Sequence, residues 1–146
     1  MAVTAKLYGP LMLSLANKEL NLATDTLKVM LCTSAYVPDQ DNHRYKSSVT
    51  NEVVGTGYTA GGATLTSVTV TYTAATNTVM LDAADMAWNA ATLTARYAVI
   101  YDATPATDAT RPLIAYVDFA ADSSASGAPF TKTRAAAGLA TFTAAS

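Results

Sequence analysis

His43 is the only imidazole in the chain and Cys32 the only thiol, so a Ser–His or Cys–His nucleophile would have to be built on that one histidine. Asp39, Asp41 and His43 stand at alternate positions. On an extended segment that spacing turns three oxygen or nitrogen donors to one side, as a cation site requires. The calcium-loop pattern also needs Gly at its sixth position and Glu at its twelfth, where this chain has Arg44 and Thr50. The expected role of these aspartates is therefore to cap turns in a solvated loop.

Asp82, Asp85, Asp102 and Asp118 fall at or beside predicted strand ends. Glycosidic acid–base chemistry sets two carboxyls about 5 to 9.5 Å apart across a cleft, and nothing in the order of these segments pairs them. Gly55-Thr-Gly57-Tyr-Thr-Ala60-Gly61-Gly62 fits the spacing G-x-G-x-x-[GA]. A dinucleotide site needs a helix after that run to receive the pyrophosphate, whereas an alternating strand pattern follows. The expectation is a turn or bulge-rich edge whose glycines meet positive φ or a close backbone. No catalytic residue, cofactor or metal ligand is assigned, and the chain is expected not to be an enzyme.

Tyrosine is the remaining chemistry: eight, against one Trp and three Phe. Tyr36, Tyr45 and Tyr58 lie in or next to predicted loops, where a phenol buries much area at small entropic cost and can anchor a protein contact. A glycan-binding module would need an exposed aromatic platform, for which only Trp88 and a few tyrosines are present; it is the lesser alternative. Thr69, Thr71 and Thr73 fit a solvated strand face.

These residues must be positioned by a mostly extended chain. Leu7, Leu11, Leu15 and Leu20 approximate helical spacing, and Pro10 suits a first turn, so one short helix is predicted over Pro10–Leu20. Thr26–Thr33 reads as a buried strand, with Leu27, Val29 and Leu31 on one face and Met30 and Cys32 on the other. Ser34–Ser48 is predicted as a long surface loop. From Ala63 the period is two: Val68, Val70 and Tyr72 alternate with threonines over Ala63–Thr73, a turn follows around Ala75–Asn77, and Thr78–Asp82 returns with Val79 and Leu81 inward, a hairpin. Ala83–Asn89 is predicted as a turn or single helical turn. Ala91–Asp102 is the strongest strand, expected to be central, with Leu93, Tyr97, Val99 and Tyr101 on one face and Arg96, Ala98 and Ile100 on the other. Ala103–Pro112 contains two of the five prolines and is a loop. Leu113–Phe119 is extended, Ala120–Pro129 a loop of small residues, and Phe130–Arg134 and Leu139–Thr143 a last pair.

Seven or eight short strands after one helix predict an all-β fold, an antiparallel β-sandwich of jelly-roll or immunoglobulin-like type. At 146 residues the chain suits one domain, with residues 1–25 as N-terminal arm and helix and 26–143 as the sandwich. A net charge of −2 with 14% charged residues gives no footprint for a phosphate backbone, so no nucleic-acid partner is expected. No stretch reaches the ~20 apolar residues of a spanning helix. Pro10 and Ser14 interrupt the apolar run after Lys6, so no signal peptide is predicted. The chain is expected to be made in the cytoplasm and to make no membrane contact.

The runs Leu27–Asp41 (LKVMLCTSAYVPDQD), Val49–Gly62 (VTNEVVGTGYTAGG), Thr94–Tyr101 (TARYAVIY) and Pro112–Phe119 (PLIAYVDF) resemble a family of small structural proteins of tailed bacteriophages, over about Lys6 to Thr143. The resemblance implies a virion component, foremost a capsid decoration (cement) protein on the outer face of the shell, with the major capsid protein as partner. A tail-associated structural protein with tail proteins as partners is the alternative. A homo-oligomer is expected, because open sheet edges must be covered or paired. The contacts are expected from Ala2–Tyr8 (Val3, Lys6, Leu7, Tyr8), from Tyr36–Lys46 (Tyr36, Val37, Tyr45) and from Gly55–Gly62 (Tyr58), where apolar or aromatic anchors sit in polar, mobile surroundings.

Overall fold

A computed structural model describes residues 3–132 and 138–145. The fold is all-β, with two antiparallel sheets and one short helix. β1 (Thr4–Leu7), α1 (Leu11–Ala16), β2 (Leu27–Cys32), β3 (Ala63–Thr64), β4 (Thr69–Thr73), β5 (Thr78–Asp82), β6 (Met86–Asp102), β7 (Leu113–Lys132) and β8 (Ala140–Thr143) follow in chain order. The larger sheet has the order β1-β7-β6-β2-β3 and the smaller one β4-β5-β8.

β2 shows why the chain must be layered on both sides of the larger sheet. Its alternate residues Leu27, Val29 and Leu31 enter a core shared with Leu81, Leu139 and Ala140 of the smaller sheet's segments. Met30 and Cys32 point the other way, into a second cluster with Tyr8, Tyr36, Val99, Tyr101, Leu113 and Tyr116. A strand buried on both faces reads as a continuous apolar run, and the stretch VMLC from Val29 to Cys32 is one. The second cover is the long connection between β2 and β3, which contains only a 3-10 turn at Lys46–Ser48.

Several boundaries differ from the periodicity. α1 stops at Ala16 because Lys18 turns to φ 57°. Lys18 N–H then donates to Leu15 O at 3.1 Å and Glu19 N–H to Ser14 O at 2.9 Å, a Schellman ending that closes the helix before Leu20. The segment predicted as one strand over Ala63–Thr73 is split: β3 pairs with β2 in the larger sheet and β4 with β5 in the smaller. The β4–β5 hairpin forms as expected, and Leu81 is fully buried. Residues of β4 are exposed on both faces, Tyr72 at 62%, so Val70 and Tyr72 do not form a buried face.

β6 begins at Met86, replacing the turn predicted there, and lies between β7 and β2. A register shift between Ala95 and Tyr97 reverses which side each residue faces, as a bulge does. Leu93 and Ala95 therefore join Ala98 and Ile100 in the inter-sheet core, while Tyr97, Val99 and Tyr101 face the second cluster; Leu93 and Tyr97 do not share a face. β7 runs unbroken through the predicted small-residue loop, paired with the first half of β6. The final segment pairs with β5 rather than with the strand ending at Lys132; Thr133, Arg134 and Ala135–Ala137 lie outside the described residues.

Candidate protein-contact surface

β1 is an edge strand whose register runs from Thr4 opposite Asp118 to Leu7 opposite Ala115. Where it ends, the β2–β3 connection is fastened to it: Gln40 Nε2 donates to Leu7 O at 2.9 Å, and Gly9 N–H donates to Gln40 O at 2.8 Å. Arm and connection thus form one continuous surface although about 30 residues separate them in sequence. Val3 and Val37 expose 62% and 75% of their area. Lys6 is exposed, and Leu7 is half-buried against the inter-sheet core. A cleft of about 460 Å³ lies between Ala5–Leu7, Gln40 and residues 138–141. Ala2 lies outside the described residues.

The tyrosines expected to join Val3 and Val37 at a contact are differently placed. Tyr8 and Tyr36 are 0% and 1% exposed, which corrects their assignment as surface anchors. Their hydroxyls meet at 2.8 Å, and Tyr36 Oη lies 3.0 Å from His43 Nδ1. Asp39 N–H also donates to Nδ1 at 3.3 Å, so that nitrogen is an acceptor and the chain of donors runs Tyr8 to Tyr36 to His43. Burial raises both phenols above their ordinary values, Tyr36 to about 12, so both hydroxyls keep their protons. Tyr36 stacks with His43 at 5.8 Å and meets the edge of Tyr97 at 5.9 Å. These rings attach the connection to the sheet.

Tyr58 and Tyr45 are half-buried and also occupied. Tyr58 Oη donates to Glu52 Oε1 at 2.7 Å and accepts Leu31 N–H at 3.0 Å, while its ring packs 6.2 Å from Trp88. Tyr45 Oη donates to Glu19 Oε2 at 3.1 Å, beside the Arg44–Glu19 ion pair at 2.6 Å. Each tyrosine fixes one part of the long connection, Tyr58 to β2 and Tyr45 to the segment after α1.

The other candidate groups are likewise engaged in structure. Asp39 Oδ1 accepts the N–H groups of Asp41 and Asn42 at 3.1 and 3.0 Å, the turn-capping role expected of it. Asp118 lies within β7 and pairs with Arg96 at 2.7 Å, which lowers the carboxyl below its ordinary value. Cys32 is buried, and desolvation raises its thiol to about 12, far from a reactive thiolate. In the glycine run, a Cβ on Gly55 would lie 2.3 Å from Thr92 O, and Gly62, at φ 80°, passes so close to β2 that a Cβ would lie 1.8 Å from Val29 O. The fingerprint-like spacing therefore serves close backbone packing.

Five further large apolar residues are exposed and were not expected as contacts: Met12 and Leu13 on α1, Val54, and Val70 and Tyr72 on β4, with Val54 at 96%. The alternation of Val70 and Tyr72 signalled a strand without saying which side was covered. Among the described residues no helix is long and apolar enough to cross a membrane. No protein-family model matches the chain, and comparison with curated proteins and with solved structures finds no similar protein.

Proposed function

We propose that this chain is a non-enzymatic bacteriophage virion structural protein, a capsid decoration protein that binds the major capsid shell and stabilises it. The observation that carries the contact surface is the exposure of Val3 on the arm and Val37 on the connection, two segments that Gln40 ties together at Leu7. The family reading rests on the resemblance of the four sequence runs. Both features also suit a tail-associated structural protein, with tail proteins as partners.

A decoration protein acts by linkage: binding the mature shell and not its dissociated form shifts the equilibrium toward the shell. Many copies on one lattice turn modest single contacts into a large collective one. The surface needs no catalytic group, only area and a rigid frame, which the aromatic layer beneath the connection supplies.

The test is cosedimentation of purified chain with undecorated shells. Val3→Asp combined with Val37→Asp is expected to lower shell occupancy at least about tenfold, since burying two unpaired charges costs more than the ~1.4 kcal/mol that factor represents. The variant's unfolding midpoint should stay close to that of the unmodified chain, because both side chains are exposed. Unchanged occupancy would remove this surface from the contact.

A further inference from the structure

Asp102 closes β6 and is fully buried. Its Oδ1 accepts Thr104 N–H at 2.8 Å, whereas Oδ2 reaches neither a donor nor solvent. The Thr104 side chain interacts with it as well, and so does another carboxyl, Asp25, which lies two residues before Leu27, the residue paired with Asp102, and lines the same cleft; Asp25 ends the turn after α1 and accepts Asn21 N–H through Oδ2 at 2.6 Å. Two neighbouring carboxylates, one of them sealed from water, are not stable as a doubly ionised pair, since lost hydration and like charge both oppose it. A proton on Asp102 makes the orphan oxygen a donor and gives the Asp25 carboxylate a charge-assisted O–H···O bond.

We propose that Asp102 keeps its proton in the fold and donates it to the neighbouring Asp25, a latch that ties the segment after α1 to the end of β6 and weakens as pH rises. The backbone bonds on either side belong to the same joint: Thr26 N–H donates to Thr104 Oγ1 and Ala103 N–H to Thr26 O, both at 2.8 Å. A cleft of about 700 Å³ opens beside it, lined by Leu15, Lys18, Glu19, Asp25, Val70 and Asp102 among others. Glu19 in that lining is held by Arg44 and Tyr45. Lys18 is exposed at the rim, and Arg111, leading into β7, is turned to Asp108 and to Pro105 O. Among the described residues no ion pair joins a cation to either carboxyl. A metal ion would also quench the repulsion, but Oδ2 has no accessible surface on which to receive one, and calcium needs six or more oxygens.

The sign follows from linkage. A carboxyl that keeps its proton in the fold has a folded value above its unfolded value. Its contribution is intact below the unfolded value and is lost as pH rises through the folded one. The experiment is urea unfolding of the full chain from pH 4 to 8 in EDTA, comparing the unmodified chain with Asp102→Asn, whose amide still donates to Asp25 but does not titrate. All other groups are common to both. The unmodified chain should therefore lose stability relative to Asp102→Asn as pH rises, with a difference slope approaching one proton. Parallel profiles would overturn the proposal. So would a midpoint at pH 8 restored by calcium chloride in the unmodified chain alone, since the pair would then hold a cation. If Asp102→Asn does not fold, a carboxyl-carbon NMR titration of the unmodified chain decides. The Asp102 resonance should titrate well above the ordinary aspartate range, and an ordinary titration of Asp102 would refute the latch.

Discussion

Tyr36 occupies the middle of a three-member hydroxyl and imidazole chain, so removing its oxygen strands Tyr8 and leaves His43 Nδ1 with the Asp39 N–H alone. Tyr36→Phe leaves Tyr8 Oη buried without its partner and deprives His43 Nδ1 of a donor. The expected loss is about 1–3 kcal/mol, the usual cost of an orphaned buried polar group. Tyr8→Phe leaves the Tyr36 bond to His43 intact and should cost about 1 kcal/mol or less. Urea unfolding at pH 7 checks both, and equal losses would mean that the chain of hydroxyls does not act in that order. The sequence shows that tyrosines matter here without showing where they go. A phenol in a polar loop has the same pattern whether it faces solvent or folds back onto a sheet. The missing clue lay in β2, where Met30 and Cys32 give the strand a second apolar face. Only the adjacent connection was long enough to cover it.

Gly62 and Gly127 both adopt positive φ, at 80° and 62°, but in different surroundings. A methyl on Gly62 would enter the β2 backbone, whereas nothing lies within 4 Å of one on Gly127. Gly62→Ala is therefore expected to cost about 3 kcal/mol or more, enough to threaten folding. Gly127→Ala should cost only the conformational strain, about 1–2 kcal/mol. Thermal unfolding of the two variants separates close packing from backbone strain, and similar midpoints would contradict it. Element types were largely legible, because period-two alternation marks β4, β5 and the second half of β6, and two prolines mark the loop before β7. The full length of β7 was not, since Ala120–Pro129 contains small residues of low strand propensity, and pairing with β6 makes them a strand. The facing of β6 was hidden for a different reason: a bulge between Ala95 and Tyr97 shifts the alternation by one, and no residue type there announces it.

The two sheets leave β1 and β3 at the edges of one and β4 and β8 at the edges of the other. β1 covers β7 only as far as Asp118, so among the described residues β7 from Phe119 onward has β6 on one side and no named strand on the other. Pro129, Gly127 and the positive φ of Ala120 interrupt the regular row of donors and acceptors there, a common way of keeping an edge from pairing indiscriminately. The arm surface adds the exposed side chain of Val3 to the free edge of β1. Its two halves could be named from the sequence, but their junction through Gln40 could not, because that bond links a backbone carbonyl in β1 to an amide in a distant loop. The most direct measurement is to separate purified virions into heads and tails and to quantify this chain by mass spectrometry against the major capsid subunit. A decoration protein is expected with the heads, in hundreds of copies. A small, ring-like number of copies with the tails, or absence from the particle, would contradict the capsid assignment.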